Sequence, residues 1–222
     1  MTRILSGGRR AAASGNTASA VVFLHGYGAD GADLLGLADA LTPHLPDTVF
    51  LAPNAPDRCA NNPFGYQWFP IPWMDGSSEA EMHEGFRRST ADIDAYLDRV
   101  LADESVKSSD LALFGFSQGT MMGLQVAPRR SSPLAAVVGF SGRLLNPSTL
   151  VAEARSKPPV WLAHGDRDEV VPHASLPEAG DALAAAGFDV STYVMKGIGH
   201  GISPDGLNAA LEFIRGRLDT GR

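Results

Sequence analysis

The 222-residue chain has a single cysteine, Cys59. An intrachain disulfide is therefore excluded, and a reducing compartment is the simpler setting. No segment approaches the ~20 consecutive apolar residues of a membrane-spanning helix. The stretch from Met1 to Ala20 carries Arg3, Arg9 and Arg10 but no apolar run of signal-peptide length. The net charge is −7 and no long basic run offsets it, which argues against nucleic acid or an anionic membrane as the main partner. No His, Cys or Asp spacing resembles a metal site and no glycine-rich phosphate loop occurs, so neither metal nor cofactor is expected. These absences imply a cytoplasmic protein without integral membrane contact. The 44% of hydrophobic residues is enough for a real core, and the length suits one domain spanning residues 1–222.

Short apolar runs alternate with helical patterns along the chain. Val21–Leu24, Thr48–Leu51, Leu111–Phe114, Ala135–Val138, Val160–Ala163 and Val190–Val194 read as strands. Most lack polar alternation, as strands covered on both faces do. Phe86, Ile93, Leu97 and Val100 recur at helical spacing, as do Leu176, Ala179, Leu183 and Ala186, and Leu207, Leu211, Ile214 and Leu218. The expected fold class is α/β: a mostly parallel central sheet with helices on both faces. The irregular stretch of note is Pro53–Ser78, rich in Pro, Asn and aromatics, and long loops inside compact domains are usually functional.

Leu111-Ala-Leu-Phe-Gly-Phe-Ser117-Gln-Gly119 runs from an apolar strand through G-x-S-x-G into the helix-forming run Thr120–Ala127. A serine hydroxyl is a poor nucleophile unless geometry exposes it and a base takes its proton. A sharp strand-to-helix turn exposes it, and the neighbouring turns pass so close that the positions two before and two after must be small. In such a scaffold the acid and then the base follow the serine in the chain. Three histidines lie downstream, His164, His173 and His200. His164 ends a strand and is expected to pack or cap. His173 shares a loop with every candidate acid. His200, on the glycine-flanked tip Gly197-Ile-Gly-His-Gly201, is the expected base. Asp166, Asp168 and Glu169 all qualify as acid by position. Asp166 is expected to shape its turn through local backbone bonds, and Asp168, further along the loop, is preferred. Backbone N–H donors for an oxyanion are expected from Gln118 and from Tyr27 in the loop His25-Gly-Tyr-Gly-Ala-Asp-Gly31.

Several other residues carry plainer readings. Ser141 lacks a G-x-S-x-G frame and reads as a strand-end serine. His25 is expected to hold its loop by hydrogen bonds, His44 and His83 to be solvated, and Cys59 to be a structural thiol. Phe64, Tyr66, Trp68, Phe69, Ile71, Trp73 and Met74 form an aromatic-rich cluster expected to line an acyl or alcohol pocket beside Ser117, and to flap over the sheet edge.

Phe23-Leu-His-Gly-Tyr-Gly28, Ala52-Pro-Asn-Ala-Pro56, Gly115-Phe-Ser-Gln-Gly119, Phe140-Ser-Gly142, His164-Gly-Asp-x-Asp168 and Gly199-His-Gly201 occur together in order. The set resembles the phospholipase/carboxylesterase family of α/β-hydrolases, which includes bacterial carboxylesterases and acyl-protein thioesterases. The resemblance implies an α/β-hydrolase fold, a Ser117–Asp168–His200 triad and an oxyanion hole from the Tyr27 and Gln118 amides. Thioesterase-like members usually carry an aliphatic residue where Tyr27 stands, and residues 61–73 look more like the bacterial esterase branch. A serine carboxylesterase acting on small to medium acyl esters is therefore expected, with little spare chain for a cap domain. The alternatives are an acyl-protein thioesterase or lysophospholipase and, from another class, a catalytically silent binding module. Members of that family are sometimes homodimers, and no exposed apolar stripe in this sequence demands one.

Overall fold

A computed structural model describes residues 2–218; Met1 and residues 219–222, the ends of the expected domain, lie outside the described residues. The first half of the chain runs β1 (Gly7–Arg10), β2 (Ser19–Leu24), α1 (Gly31–Leu35), α2 (Ala38–Leu41), β3 (Thr48–Pro53), β4 (Asp57–Arg58), β5 (Tyr66–Gln67), α3 (Pro72–Asp75) and α4 (Glu79–Asp103). The second half runs β6 (Leu111–Phe116), α5 (Gln118–Val126), β7 (Ala136–Phe140), α6 (Pro147–Glu153), β8 (Val160–Gly165), α7 (Ser175–Ala185), β9 (Val190–Met195) and α8 (Pro204–Leu218). Seven strands form one sheet in the order β1-β3-β2-β6-β7-β8-β9. All neighbours are parallel except the edge pair β1 and β3.

The six apolar runs read from sequence are all strands, and in β2, β3, β6, β7 and β8 the lack of alternation has a direct cause. Successive residues enter opposite cores. Val22, Leu24, Leu111 and Leu113 face a core shared with Phe86, Ile93 and Leu97 of α4, Leu124 of α5 and Leu183 of α7. Val21, Phe23, Ala112 and Phe114 face a second core with Leu34, Ala38, Leu41, Leu211 and Ile214. On that second face an aromatic row crosses the sheet. Phe50, Phe23, Phe114, Phe140, Trp161 and Tyr193 follow one another with ring centroids 5.2 to 6.1 Å apart. Each comes from the next strand over, so the row ties six strands side to side through offset and edge contacts.

The Pro53–Ser78 stretch is less irregular than its composition suggests. β4 and β5 pair antiparallel, Ala29 bridges to Tyr66, and α3 follows. Helix α4 then starts at a reciprocal cap, in which the Ser78 hydroxyl accepts from Glu81 N–H at 3.2 Å and Glu81 accepts from Ser78 N–H at 2.8 Å. The N-terminal arm locks this region. Arg3 donates from Nε to Asp92 Oδ2 at 2.7 Å and from Nη1 to both Asp57 oxygens at 2.8 and 2.9 Å, while its backbone N–H reaches Asp92 Oδ1 at 2.7 Å. One side chain thus joins the β4 segment to the middle of α4. Asp92 is 2% exposed, so removing its cation strands a buried charge. Arg3→Gln is expected to lower unfolding stability by ~3 kcal/mol, read as a shift of the urea midpoint; an unmoved midpoint would contradict this coupling.

Candidate active site

β6 ends one residue before Ser117, and α5 begins one residue after it. Ser117 has φ 52° and ψ −115°, a conformation costly for a side-chain-bearing residue. Its N–H donates to Phe140 O at 2.8 Å, which holds the turn against β7. A Cβ at Gly119 would fall 1.9 Å from the Leu24 carbonyl oxygen, and one at Gly115 would fall 2.5 Å from Thr120 N. Both glycines are therefore required by close backbone approach, and the elbow read from sequence is present.

His200 Nε2 lies 3.0 Å from Ser117 Oγ, and His200 Nδ1 lies 2.8 Å from Asp168 Oδ2. With Asp168 accepting from Nδ1, Nε2 is left to accept from the serine hydroxyl. The other Asp168 oxygen accepts the Val170 and Val171 N–H groups, each at 2.9 Å. A neighbouring histidine was not read from the sequence as part of this contact. His164, 1% exposed, points Nε2 at Val171 O, 3.0 Å away, and at Asp168 Oδ2, 3.1 Å away. Burial alone would raise the Asp168 carboxyl, but the bonds from His200 and the Val171 and Val170 amides outweigh it and hold it below the ordinary range. His173 packs edge-on against His164, with centroids 5.9 Å apart, and takes no part in the contact with Ser117.

Asp166 departs from its expected local role. Its Oδ1 accepts Gly197 N–H at 2.7 Å, a bond across 31 residues to the loop that carries His200. A carboxylate can satisfy an amide in any strand-end loop within reach, and β8 and β9 end side by side. Arg167 N–H adds a bond to Ile198 O at 3.0 Å. Gly165 lets the loops touch, since a Cβ there would sit 2.2 Å from Ile198 O.

On the other side of Ser117 lies the loop after β2. His25 is fully buried; Ala55 N–H donates to its Nε2 at 2.9 Å, and its Nδ1 faces Gly26 O at 2.7 Å. One ring nitrogen must accept, so the imidazole is neutral, and burial lowers its pKa. His25 therefore does hold its loop. Gly28, at φ 81°, donates to Tyr66 O at 2.9 Å and accepts from Asn62 Nδ2 at 3.0 Å. A Cβ at Gly26 would lie 3.3 Å from Ser117 Cβ, so this loop runs directly beside the serine. Among the described residues the Tyr27 N–H has no backbone acceptor. The Gln118 N–H, in the first turn of α5, has no intrahelical one. The Tyr27 hydroxyl is buried near Cys59, and burial first, then Cys59, pushes its pKa up to about 12.

A cleft of about 420 Å³ opens over Ser117, Gln118 and His200. Phe69, Ile71, Trp73 and Met74 of the loop cluster lie on its lining, with Tyr27, Met82, Met121 and Leu145. Phe64, Tyr66 and Trp68 are not among its lining residues. Phe64 is 84% exposed to solvent, and the Tyr66 ring lies 3.9 Å beneath the Arg58 guanidinium. Trp68 is fully buried, with Nε1 donating to His25 O at 2.9 Å. The aromatic composition was visible in sequence, but side chains on an extended segment alternate sides, so only part of the cluster can face one cleft. Gln118 supplies an unforeseen strap. Its Oε1 accepts Trp68 N–H at 2.8 Å and its Nε2 donates to Phe69 O at 2.7 Å, while the Ser89 hydroxyl of α4 donates to Trp68 O.

A strained serine at a strand-to-helix turn, beside a histidine and an acid from later loops of a parallel sheet, defines an α/β-hydrolase. The phospholipase/carboxylesterase family matches residues 10–218, and the chain belongs to that family of hydrolases. It is similar to the solved structure of esterase PE8, at 42% identity and TM-score 0.92, covering 97% of this chain and 100% of that one. It is 30% identical over 216 residues to acyl-protein thioesterase 1 of Neurospora crassa, covering 89% of this chain and 86% of that protein. It is 25% identical over 195 residues to esterase YpfH of Escherichia coli, covering 88% of this chain and 81% of that protein.

His25 and His164 are both lowered from the ordinary 6.5, chiefly by burial. The unfolded chain therefore takes up protons near pH 6.5 that the folded protein refuses, so stability is full above that pH and falls as pH drops through it. Asp168, depressed in the fold, adds its own loss only at lower pH, as it protonates. Urea unfolding should show lower stability at about pH 5.5 than at about pH 7.5; equal or higher stability at the lower pH would contradict the neutral-histidine assignment.

Proposed function

We propose that this protein is a serine carboxylesterase of the cytoplasm that hydrolyses small to medium acyl esters through an acyl-enzyme. Ser117 Oγ attacks the ester carbonyl carbon while His200 Nε2 takes the hydroxyl proton. Asp168 holds Nδ1 and stabilises the imidazolium that forms. The negative charge arising on the carbonyl oxygen is met by the Tyr27 and Gln118 amides. Collapse breaks the ester C–O bond as His200 returns the proton to the departing alcohol. Water then repeats the sequence on the acyl-enzyme and releases the acid.

The observation that carries this reading is the unbroken relay from Ser117 Oγ through His200 to Asp168, at 3.0 and 2.8 Å, at the floor of an open cleft. The three hydrogen bonds that fix Asp168, from the Val170 and Val171 amides and His200, support its role as orienting acid, and the tie from Asp166 to Gly197 supports a scaffold role for Asp166. Phe69 and Trp73 are the proposed apolar contacts for the acyl or alcohol half.

Wild-type protein is expected to take a fluorophosphonate label that Ser117→Ala abolishes; a well-folded wild type that takes no label would support a silent binding module instead. Asp168→Asn should cost ~10³–10⁴-fold in kcat with the fold retained, far more than Asp166→Asn. The reverse ranking would reassign the acid.

A second reading, thioester hydrolysis, draws on the fungal relative named acyl-protein thioesterase 1. The same relay serves an ester or a thioester, so comparing kcat/KM for a simple ester, a thioester and a lysophospholipid decides between them.

A further inference from the structure

The cleft over Ser117 carries an arginine that the steps above leave unused. Arg143 lies on its lining, just beyond β7. The chain reaches it through a turn pressed on the elbow. Ser141 sits at φ 49° and donates to Ala163 O at 2.8 Å, and a Cβ at Gly142 would fall 2.4 Å from Thr120 Cβ and 2.9 Å from Ser117 O. Arg143 therefore leaves a backbone whose path is dictated by contact with the nucleophile's own turn.

Its charge is not engaged among the described residues. Arg3, Arg9, Arg129 and Arg130 all pair with carboxylates, whereas Arg143 has neither an ion pair nor a hydrogen bond among the described residues. Two acids border the same surface, Glu79 in the cleft and Glu178 in the adjoining hollow, and neither lies within 4.0 Å of the guanidinium as an ion pair. Glu79 occupies the first turn of α4, where the helix N-terminus already favours a carboxylate. The fold thus makes no visible demand for this cation. A guanidinium offers a planar fork of donors suited to a carboxylate or phosphate, and Arg143, itself exposed to solvent, presents that fork on the lining of the cleft that holds Ser117.

We propose that Arg143 binds an anionic oxygen group carried by the substrate, a carboxylate or a phosphate, so that the preferred esters are acidic ones. This rests on the serine-esterase reading and names its substrate class. Two matched pairs of esters test it, each pair differing only in charge. On the acyl half, the 4-nitrophenyl monoester of adipic acid is compared with that of adipamic acid. On the alcohol half, 4-acetoxybutanoate is compared with 4-acetoxybutanamide. Wild type should favour the anionic member of at least one pair, and which pair does so locates the charge on the acyl or the alcohol side. Arg143→Gln should cut that anionic-to-neutral ratio of kcat/KM by ~5–10-fold, and Arg143→Glu should cut it further. Added salt should erode the ratio in wild type and leave the Arg143→Gln ratio flat, which a merely structural role would not produce. An unchanged ratio in both pairs, with Ser117 labelled and the neutral esters turned over, overturns the Arg143 assignment alone. Failure to label Ser117 or to hydrolyse any ester overturns the esterase reading and this inference with it.

Discussion

The site depends on one close approach, that of the Gly119 backbone to the carbonyl end of β2 at Leu24. No side chain fits between them, since a Cβ would come within 1.9 Å of the Leu24 oxygen. That contact brings the first turn of α5 beside the loop that follows β2, so two distant parts of the chain flank one serine. It also accounts for the strain at Ser117. A serine would not adopt a positive φ alone, but the turn is over-determined by Gly115, Gly119 and the bond from Ser117 N–H to Phe140 O. The aromatic segment is then tied to the same point, because Gln118 bonds the backbone at Trp68 and Phe69 and Trp68 bonds His25.

A second constraint operates on the opposite side, where a buried carboxylate is made tolerable. An isolated carboxylate in that position would gain a proton rather than lose its hydration. Asp168 instead receives the Val170 and Val171 amides on one oxygen and His200 on the other. The result is an anion whose position leaves little choice to His200. The loop that carries His200 is held from below by Asp166 and by the approach that Gly165 permits. Geometry at the serine is thus a product of several bonds made far from it.

Residues 53–78 join a scaffold and a surface. Their buried half, around Trp68, is knit to β2, α4 and α5, and Arg3 secures its base through Asp57 and Asp92. Their outer half offers Phe69 and Trp73 to the cleft. Among the described residues no helix is long and apolar enough to cross a membrane.

Much of this was legible in the sequence, and the reason is local. Uniform apolar runs mean strands covered on both faces, helical spacing marks the faces of α4, α7 and α8, and the glycines around Ser117 betray a crowded turn. Ser117, Asp168 and His200 can meet because the strands before them, β6, β8 and β9, run parallel and end at the same edge of the sheet. Tertiary structure alone decided the rest. The reach of Asp166 to Gly197, the burial of Trp68, the clamp made by Arg3 and the aromatic row across six strands all join residues remote in the chain. Such pairings depend on how strands are ordered and which way each side chain leans, and neither is written in local periodicity. The sequence by itself determined which residues could do the chemistry; the fold decided which of them meet and which hold the others in place.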